Sequence, residues 1–246
     1  MSSSSAPQYH CAFIGLGNVG AQYTNTRHNI GFDAVDGLAS ELGVTFHPGR
    51  GEYFVAEFDP REKGPPPNLF WRVFPSVWQM LQRESGRRAE PSQIAASLRP
   101  CVLIKPTTLM NLSGRAARQA LDRYHLDILR LVVICDDFNL PLGSLRLRAS
   151  GSDGGHRGLR SLIAEFGTED FPRLRLGIGP KPNDTPVTDF VLGRFSAAEG
   201  ALRDNAITAA ASACKTLLSN DFTKGLDIAA SLHNITADEP APGSGA

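Results

Sequence analysis

A chain of 246 residues with 41% hydrophobic and 20% charged content has the proportions of an ordinary globular protein, with ample apolar material for a core. Lys plus Arg and Asp plus Glu both number 25, so the global basic signal of a nucleic-acid binder is absent, and any polyanion surface must come from local segregation of charge. No apolar run approaches the ~18 residues of a membrane span, and the four cysteines show no C-x-x-C spacing.

In chain order, Met1 to Gln8 is serine-rich without the apolar stretch of a secretory signal or the arginines of a transit peptide, and is expected to be a disordered tail. Cys11 to Ile14 reads as a short buried strand, followed by Gly15-Leu-Gly17-Asn18-Val19-Gly20 and a polar loop from Ala21 to Asn29. A helical apolar period then begins at Ile30, with Phe32, Val35 and Leu38. Gly15, Gly17 and Gly20 satisfy the G-x-G-x-x-G of a dinucleotide site. However, that motif needs its last glycine in the first turn of a helix, and here a polar loop intervenes. No acidic residue ends a clean second strand about twenty residues on, as such a site also requires.

Val44 to Phe46 and Glu52 to Phe58 read as strands. A charged, proline-rich break from Asp59 to Pro67 opens an insertion of about residues 60–99. Within it Asn68 to Phe74 suggests a strand, Val77 to Gln82 a helical turn, and Glu84 to Ser97 a polar surface excursion. Cys101 to Ile104 is a buried strand running into Lys105-Pro106-Thr107-Thr108-Leu109-Met110-Asn111, with Ser113 as the expected N-cap of a helix carrying Ala116, Ala117, Ala120, Leu121 and Tyr124. Leu129 to Ile134 is another buried strand, ending in Cys135-Asp136-Asp137. Leu145 and Leu147 then alternate with Arg146 and Arg148, as on a half-buried strand with a basic outer face. A glycine-rich loop from Gly151 to Gly158 contains His156. Leu159 to Phe166 has helical period, Leu174 to Ile178 is a last strand, and helices over about Ala197–Leu218 and Phe222–Leu232 follow. Strands alternating with helices predict an α/β fold, one domain over residues 9–234 built on a mixed twisted sheet flanked by helices, with a disordered tail over 237–246.

The strand ends carry the chemistry. Buried strands end near Asn18, Asn111 and Asp136, and two loops bring His28 and His156 to the same edge if the strands run parallel. A histidine facing an aspartate is a general-base pair, and asparagine amides can hold a peptide or a developing oxyanion. No serine sits in a G-x-S-x-G elbow and no cysteine has an evident base nearby, which favours attack by activated water. Three of the cysteines lie in strand-like runs, pointing to reduced core thiols in a cytosol-like compartment, either cytoplasmic or mitochondrial rather than secreted.

These residues resemble the bacterial-type peptidyl-tRNA hydrolase family. The matching stretches are Gly15–Gly20, Thr26–Phe32, Lys105–Gly114, Asp136–Gly143, Gly154–Leu159, Arg173–Gly179 and Asp189–Gly193, in the family's order over roughly Ala12 to Ser219. The resemblance implies hydrolysis of the ester joining a peptide to the terminal ribose of tRNA, with no metal or cofactor and with peptidyl-tRNA as the partner of a monomer. It assigns His28 as the general base and Asp136 as its orienting carboxylate. Asn18 and Asn111 would position the peptide, the water and the scissile carbonyl, while Tyr23, His156 and Arg157 would line the substrate cleft. Arg146, Arg148 and Arg175 would clamp tRNA phosphates, a role suited to the guanidinium fork. The chain departs from the family pattern at Val19, usually proline, and at Arg157, usually asparagine. Asp153 stands where histidine or glycine is common, and Cys135 where histidine is common. Altered affinity is the expected consequence. The alternative reading from a different class is a catalytically silent RNA-binding splicing cofactor on the same fold, which a large exposed apolar patch would favour.

Overall fold

The structure, a computed structural model, describes residues 9–61 and 98–232. The strand expected at Asn68 to Phe74, the turn at Val77 to Gln82, most of the 60–99 insertion and both tails lie outside the described residues. Among the described residues a seven-stranded mixed sheet forms the centre, in the order β2-β3-β4-β1-β5-β7-β6. Its strands are β1 (Cys11–Gly15), β2 (His47–Pro48), β3 (Tyr53–Phe58), β4 (Cys101–Pro106), β5 (Leu131–Pro141), β6 (Leu145–Arg148) and β7 (Arg173–Gly179). β1 pairs in parallel with β4 and β5, and β5 in parallel with β7. β3 runs antiparallel to β4, β2 to β3, and β6 to β7. The central parallel strands are continuous apolar runs because helices cover both of their faces.

One face packs α1 (Ile30–Leu42), α5 (Gly200–Ser219) and α6 (Phe222–Leu232), and its core includes Phe13, Ile30, Leu38, Ile134, Leu176, Cys214 and Leu217. The other face carries α2 (Ser113–Tyr124) and α3 (Arg157–Phe166), which bury Ala116, Ala120, Leu121, Leu159 and Leu162 against Ile14, Ile104 and Val133. The class read from the sequence, α/β with a mixed sheet flanked by helices, is the architecture found. All four cysteines are free and buried. Among the described residues no helix is long and apolar enough to cross a membrane.

The differences from expectation are local. Val44 to Phe46 is not a strand; pairing begins at His47, opposite Val55. β5 does not stop before Asp136 but continues to Pro141, because β7 pairs with it through Asp137. Ser113 is not an N-cap. A 3-10 turn at Met110–Leu112 runs straight into α2, and the Ser113 hydroxyl donates back to the Met110 carbonyl at 2.8 Å. A short helix, α4 (Val187–Leu192), was not anticipated.

The glycines of the first loop have a packing role. A Cβ on Gly15 would fall 2.2 Å from the Gly31 carbonyl oxygen, and one on Gly31 would fall 2.5 Å from the carbonyls of Leu16 and Ile134. Their spacing lets the start of α1 rest on the ends of β1 and β5, the bland explanation for a glycine motif that reads as a nucleotide site.

Candidate active site

The C-terminal ends of β1, β4, β5 and β7 share one edge of the sheet, where open α/β sheets place their sites. A cleft of about 880 Å³, including its open mouth, lies there. Its polar wall is Asn18, Tyr23, His28, Asn111, Asp136, His156, Arg157 and Arg175; its apolar wall is Leu109, Met110, Phe138, Val187, Val191 and Leu192. Every residue nominated from the sequence except Arg146 and Arg148 therefore lines one cavity.

His28 sits in a 3-10 turn, Arg27–Asn29, that leads directly into α1. Asp136 is 3% exposed and His28 7%, so the pair is buried at the cleft floor. His28 Nδ1 is 2.7 Å from Asp136 Oδ1. His156 reaches the same oxygen through Nε2 at 3.0 Å.

The protons on these rings follow from their partners. His156 is the N-cap of α3, and its Nδ1 accepts from the amides of Gly158 and Leu159 at 3.1 and 3.3 Å. Its proton is therefore on Nε2 and is donated to Asp136. An ionised Asp136 can only accept, so His28 donates from Nδ1 and keeps its lone pair on Nε2, which has no partner among the described residues. Burial pushes the Asp136 carboxyl up, but the neighbouring His28 and His156, by charge and hydrogen bond, outweigh it and hold the group well below the usual carboxylate range.

His28, Asp136 and His156 are also the one cluster among the described residues whose ligand atoms converge closely enough to suggest a metal, all within 4.8 Å. The fit is poor. A metal on His156 Nε2 would require the proton on Nδ1, where two backbone amides already point. The donor set is built as a hydrogen-bond relay.

Asn18 and Asn29 clasp each other: the Asn18 amide donates to Asn29 Oδ1, and Asn29 Nδ2 donates to the Asn18 carbonyl, both at 2.9 Å. Asn18 Oδ1 accepts from the Met110 amide at 2.9 Å, which fixes the side-chain amide and leaves Nδ2 as a donor at the cleft. Among the described residues the non-glycine positions with positive φ are Asn25 and His125, so Asn18 owes its place to these hydrogen bonds rather than to a left-handed turn. Asn111 is exposed on the 3-10 turn after β4, at the cleft mouth. Tyr23 is half-buried and Arg157 exposed, the latter also bordering a shallow depression with Asn111, Arg160 and Ser161.

Asp137, next to Asp136 on β5, is held by partners of its own. It is 8% exposed, accepts from the Asn139 amide at 2.9 Å and meets Arg175 Nη1 at 3.2 Å. Arg175 also donates to the Ser152 carbonyl at 2.9 Å, bracing the loop before His156. Arg146 and Arg148 stand outside the cleft. They are exposed on edge strand β6, opposite Arg175 and Arg173 in register, with no acidic partner among the described residues. At the departures from the family pattern, Asp153 folds the loop through the Gly155 amide at 2.6 Å and Arg160 at 3.1 Å. Burial pushes the Cys135 thiol up, so it supplies no thiolate.

Sequence reasoning missed Asn29, Asp137 and the whole apolar wall from α4. Asn29 had a signal in its place beside His28; α4 had only the matching stretch Asp189–Gly193, with no helical period of its own in six residues between Pro186 and Gly193.

Comparison with known proteins finds clear relatives of this chain. The family model described as peptidyl-tRNA hydrolase matches residues 12–63 and 72–236. A peptidyl-tRNA hydrolase of Chlorobium luteolum is 36% identical over 227 residues, covering 92% of this chain and 98% of its own. One of Geobacillus kaustophilus is 40% identical over 210 residues, covering 85% and 94%. The crystal structure of peptidyl-tRNA hydrolase from Acinetobacter baumannii superposes with a TM-score of 0.70 at 26% identity, covering 94% of this chain and 97% of that one.

Proposed function

The chain belongs to the peptidyl-tRNA hydrolase family, and from that premise we propose how its cleft carries the reaction. The protein is an ester hydrolase that acts on peptidyl-tRNA, releasing the peptide and freeing the tRNA. In the proposed mechanism His28 Nε2 removes a proton from a water as its oxygen attacks the ester carbonyl. Asp136 stabilises the resulting imidazolium through Nδ1–H. The Asn18 and Asn111 amides donate to the developing oxyanion and to the peptide backbone. Collapse of the tetrahedral intermediate breaks the carbonyl–ribose C–O bond, and His28 returns its proton to the departing ribose oxygen. The products are a peptide carboxylate and a tRNA with a free hydroxyl.

His156 donates to the same Asp136 oxygen as His28, and Tyr23 and Arg157 contact the substrate at the cleft rim. Arg146 and Arg148 meet tRNA phosphates, which positions the substrate without reading its sequence. Arg175 would join them only by exchanging its contact with Asp137 for a phosphate. One chain supplies every group in this scheme, so a monomer suffices.

The observation that carries the scheme is the buried His28–Asp136 pair at 2.7 Å, with the other His28 nitrogen left without a partner among the described residues. Asp136→Asn tests it. The variant should lose ~10³-fold or more in kcat for peptide release, as replacing the orienting carboxylate does in such pairs. A loss below ~10-fold would remove Asp136 from the mechanism.

A further inference from the structure

Arg27 precedes the base in sequence yet points away from the chemistry. Its Nη2 donates to both Glu199 oxygens at 2.8 and 2.9 Å, and its Nη1 to the Arg194 carbonyl at 2.7 Å. Its guanidinium lies 4.7 Å from the Phe190 ring centroid and 5.1 Å from that of Phe195. The backbone repeats the attachment: the Arg27 amide donates to the Gly193 carbonyl at 2.9 Å, and Thr26 bridges Arg194. The Arg27 side chain is only 12% exposed, so this ion pair is screened less than a surface pair would be. The segment held in this way contains α4, whose Val187, Thr188, Val191 and Leu192 form one wall of the cleft.

We infer that Arg27 and Glu199 form a latch that sets the α4 wall at a fixed distance from the turn carrying His28, which makes both of them positioning residues for the hydrolysis. The inference rests on the ester-hydrolase reading above. The base and the wall come from parts of the chain far apart in sequence, and the latch ties them together beside the backbone contacts of Thr26 and Arg27. A planar guanidinium that meets a carboxylate with one nitrogen and a carbonyl with the other, within reach of two aromatic rings, is a geometry that lysine cannot reproduce. The latch leaves His28 and Asp136 untouched, so its loss loosens how the substrate is held rather than the proton transfer itself.

The test is steady-state peptide release from an N-blocked aminoacyl-tRNA by the full chain. The variants are Arg27→Met, Glu199→Ala, the double mutant and Glu199→Gln, each assayed below its own melting transition. Each single variant should raise KM ~10-fold with kcat changed by less than ~3-fold, the signature of lost uniform binding. The pH dependence of kcat should not move. The double mutant should be no worse than the worse single, since both break one contact, and Glu199→Gln, which keeps an acceptor, should be milder. Glu199 also accepts from the Ser196 amide at 2.7 Å in a reciprocal cap whose other half is the Ser196 hydroxyl, so Ser196→Ala, which loosens that turn without touching the Arg27 contact, serves as the control and should leave KM in place. Unchanged KM in the folded variants, additive penalties, or a KM rise in Ser196→Ala equal to that in Glu199→Ala would each overturn the latch. Wild-type turnover in the same assay keeps such a failure distinct from failure of the hydrolase reading.

Discussion

One carboxylate oxygen receives two imidazole protons in this cleft, and the two rings are not equivalent. His156 is locked by the first amides of α3, whereas His28 is locked on one side only and has a free lone pair on the other. That asymmetry separates a supporting histidine from a base, and it depends on which neighbour each Nδ1 meets rather than on either residue's identity. The depressed Asp136 carboxyl also has a consequence for stability. Its folded-state value lies below the ordinary 3.8, so the unfolded chain binds the proton more readily. The contribution is fully present above pH 3.8 and is lost as the pH falls toward the depressed folded value. Denaturant titrations across the acid range should therefore show wild type losing stability more steeply below pH 3.8 than Asp136→Asn, and equal slopes would contradict the linkage. At this scale the sequence was informative: His28, Asp136, Asn18, Asn111, Tyr23, His156 and Arg157 all line the cavity. The contacts that orient them were not legible, because the clasp of Asn29 on Asn18 and the approach of His156 to Asp136 depend on how the loops fold back on the sheet edge.

Elements carry these side chains to one place through close backbone contact. The start of α1 lies on the ends of β1 and β5, which fixes the turn bearing His28 over β5, the strand bearing Asp136. Gly31→Ala would push a methyl group against two carbonyl oxygens and should cost about 1–3 kcal/mol of stability, as overpacking does. It should also slow peptide release by displacing His28; a variant as stable and active as wild type would refute this account of the glycines. Long, apolar or strictly alternating elements were readable from the sequence: β1, β4, β6, α1 and α2 stand where their patterns put them. Short ones were not. β2 has two residues and exists only because Val55 and Phe54 pair with it, and α4 has six residues with proline before and glycine after. The Ser113 cap failed because a 3-10 turn already supplied the helix start, which turned the hydroxyl back onto Met110.

Across the whole molecule the charges balance, yet they are not evenly placed. Arg115 and Arg118 are answered by Glu52 and Glu165, whereas Arg146 and Arg148 project from β6 without acidic partners among the described residues. This local excess is what a neutral chain needs in order to hold a polyanion. Changing both residues to alanine should weaken tRNA binding and reduce the slope of log affinity against log salt by about 1–2. A slope equal to that of wild type would remove them from the phosphate contacts. Composition could not locate this face, since net charge is a sum and the face is a difference; the alternation around Leu145 and Leu147 did locate it.

The most direct test of the central claim is release of peptide from an N-blocked aminoacyl-tRNA by wild type and His28→Ala, with tRNA binding measured on both. Wild type should turn over while His28→Ala binds comparably and falls ~10³-fold or more in rate. Turnover in the variant within ~10-fold of wild type would contradict His28 as the base.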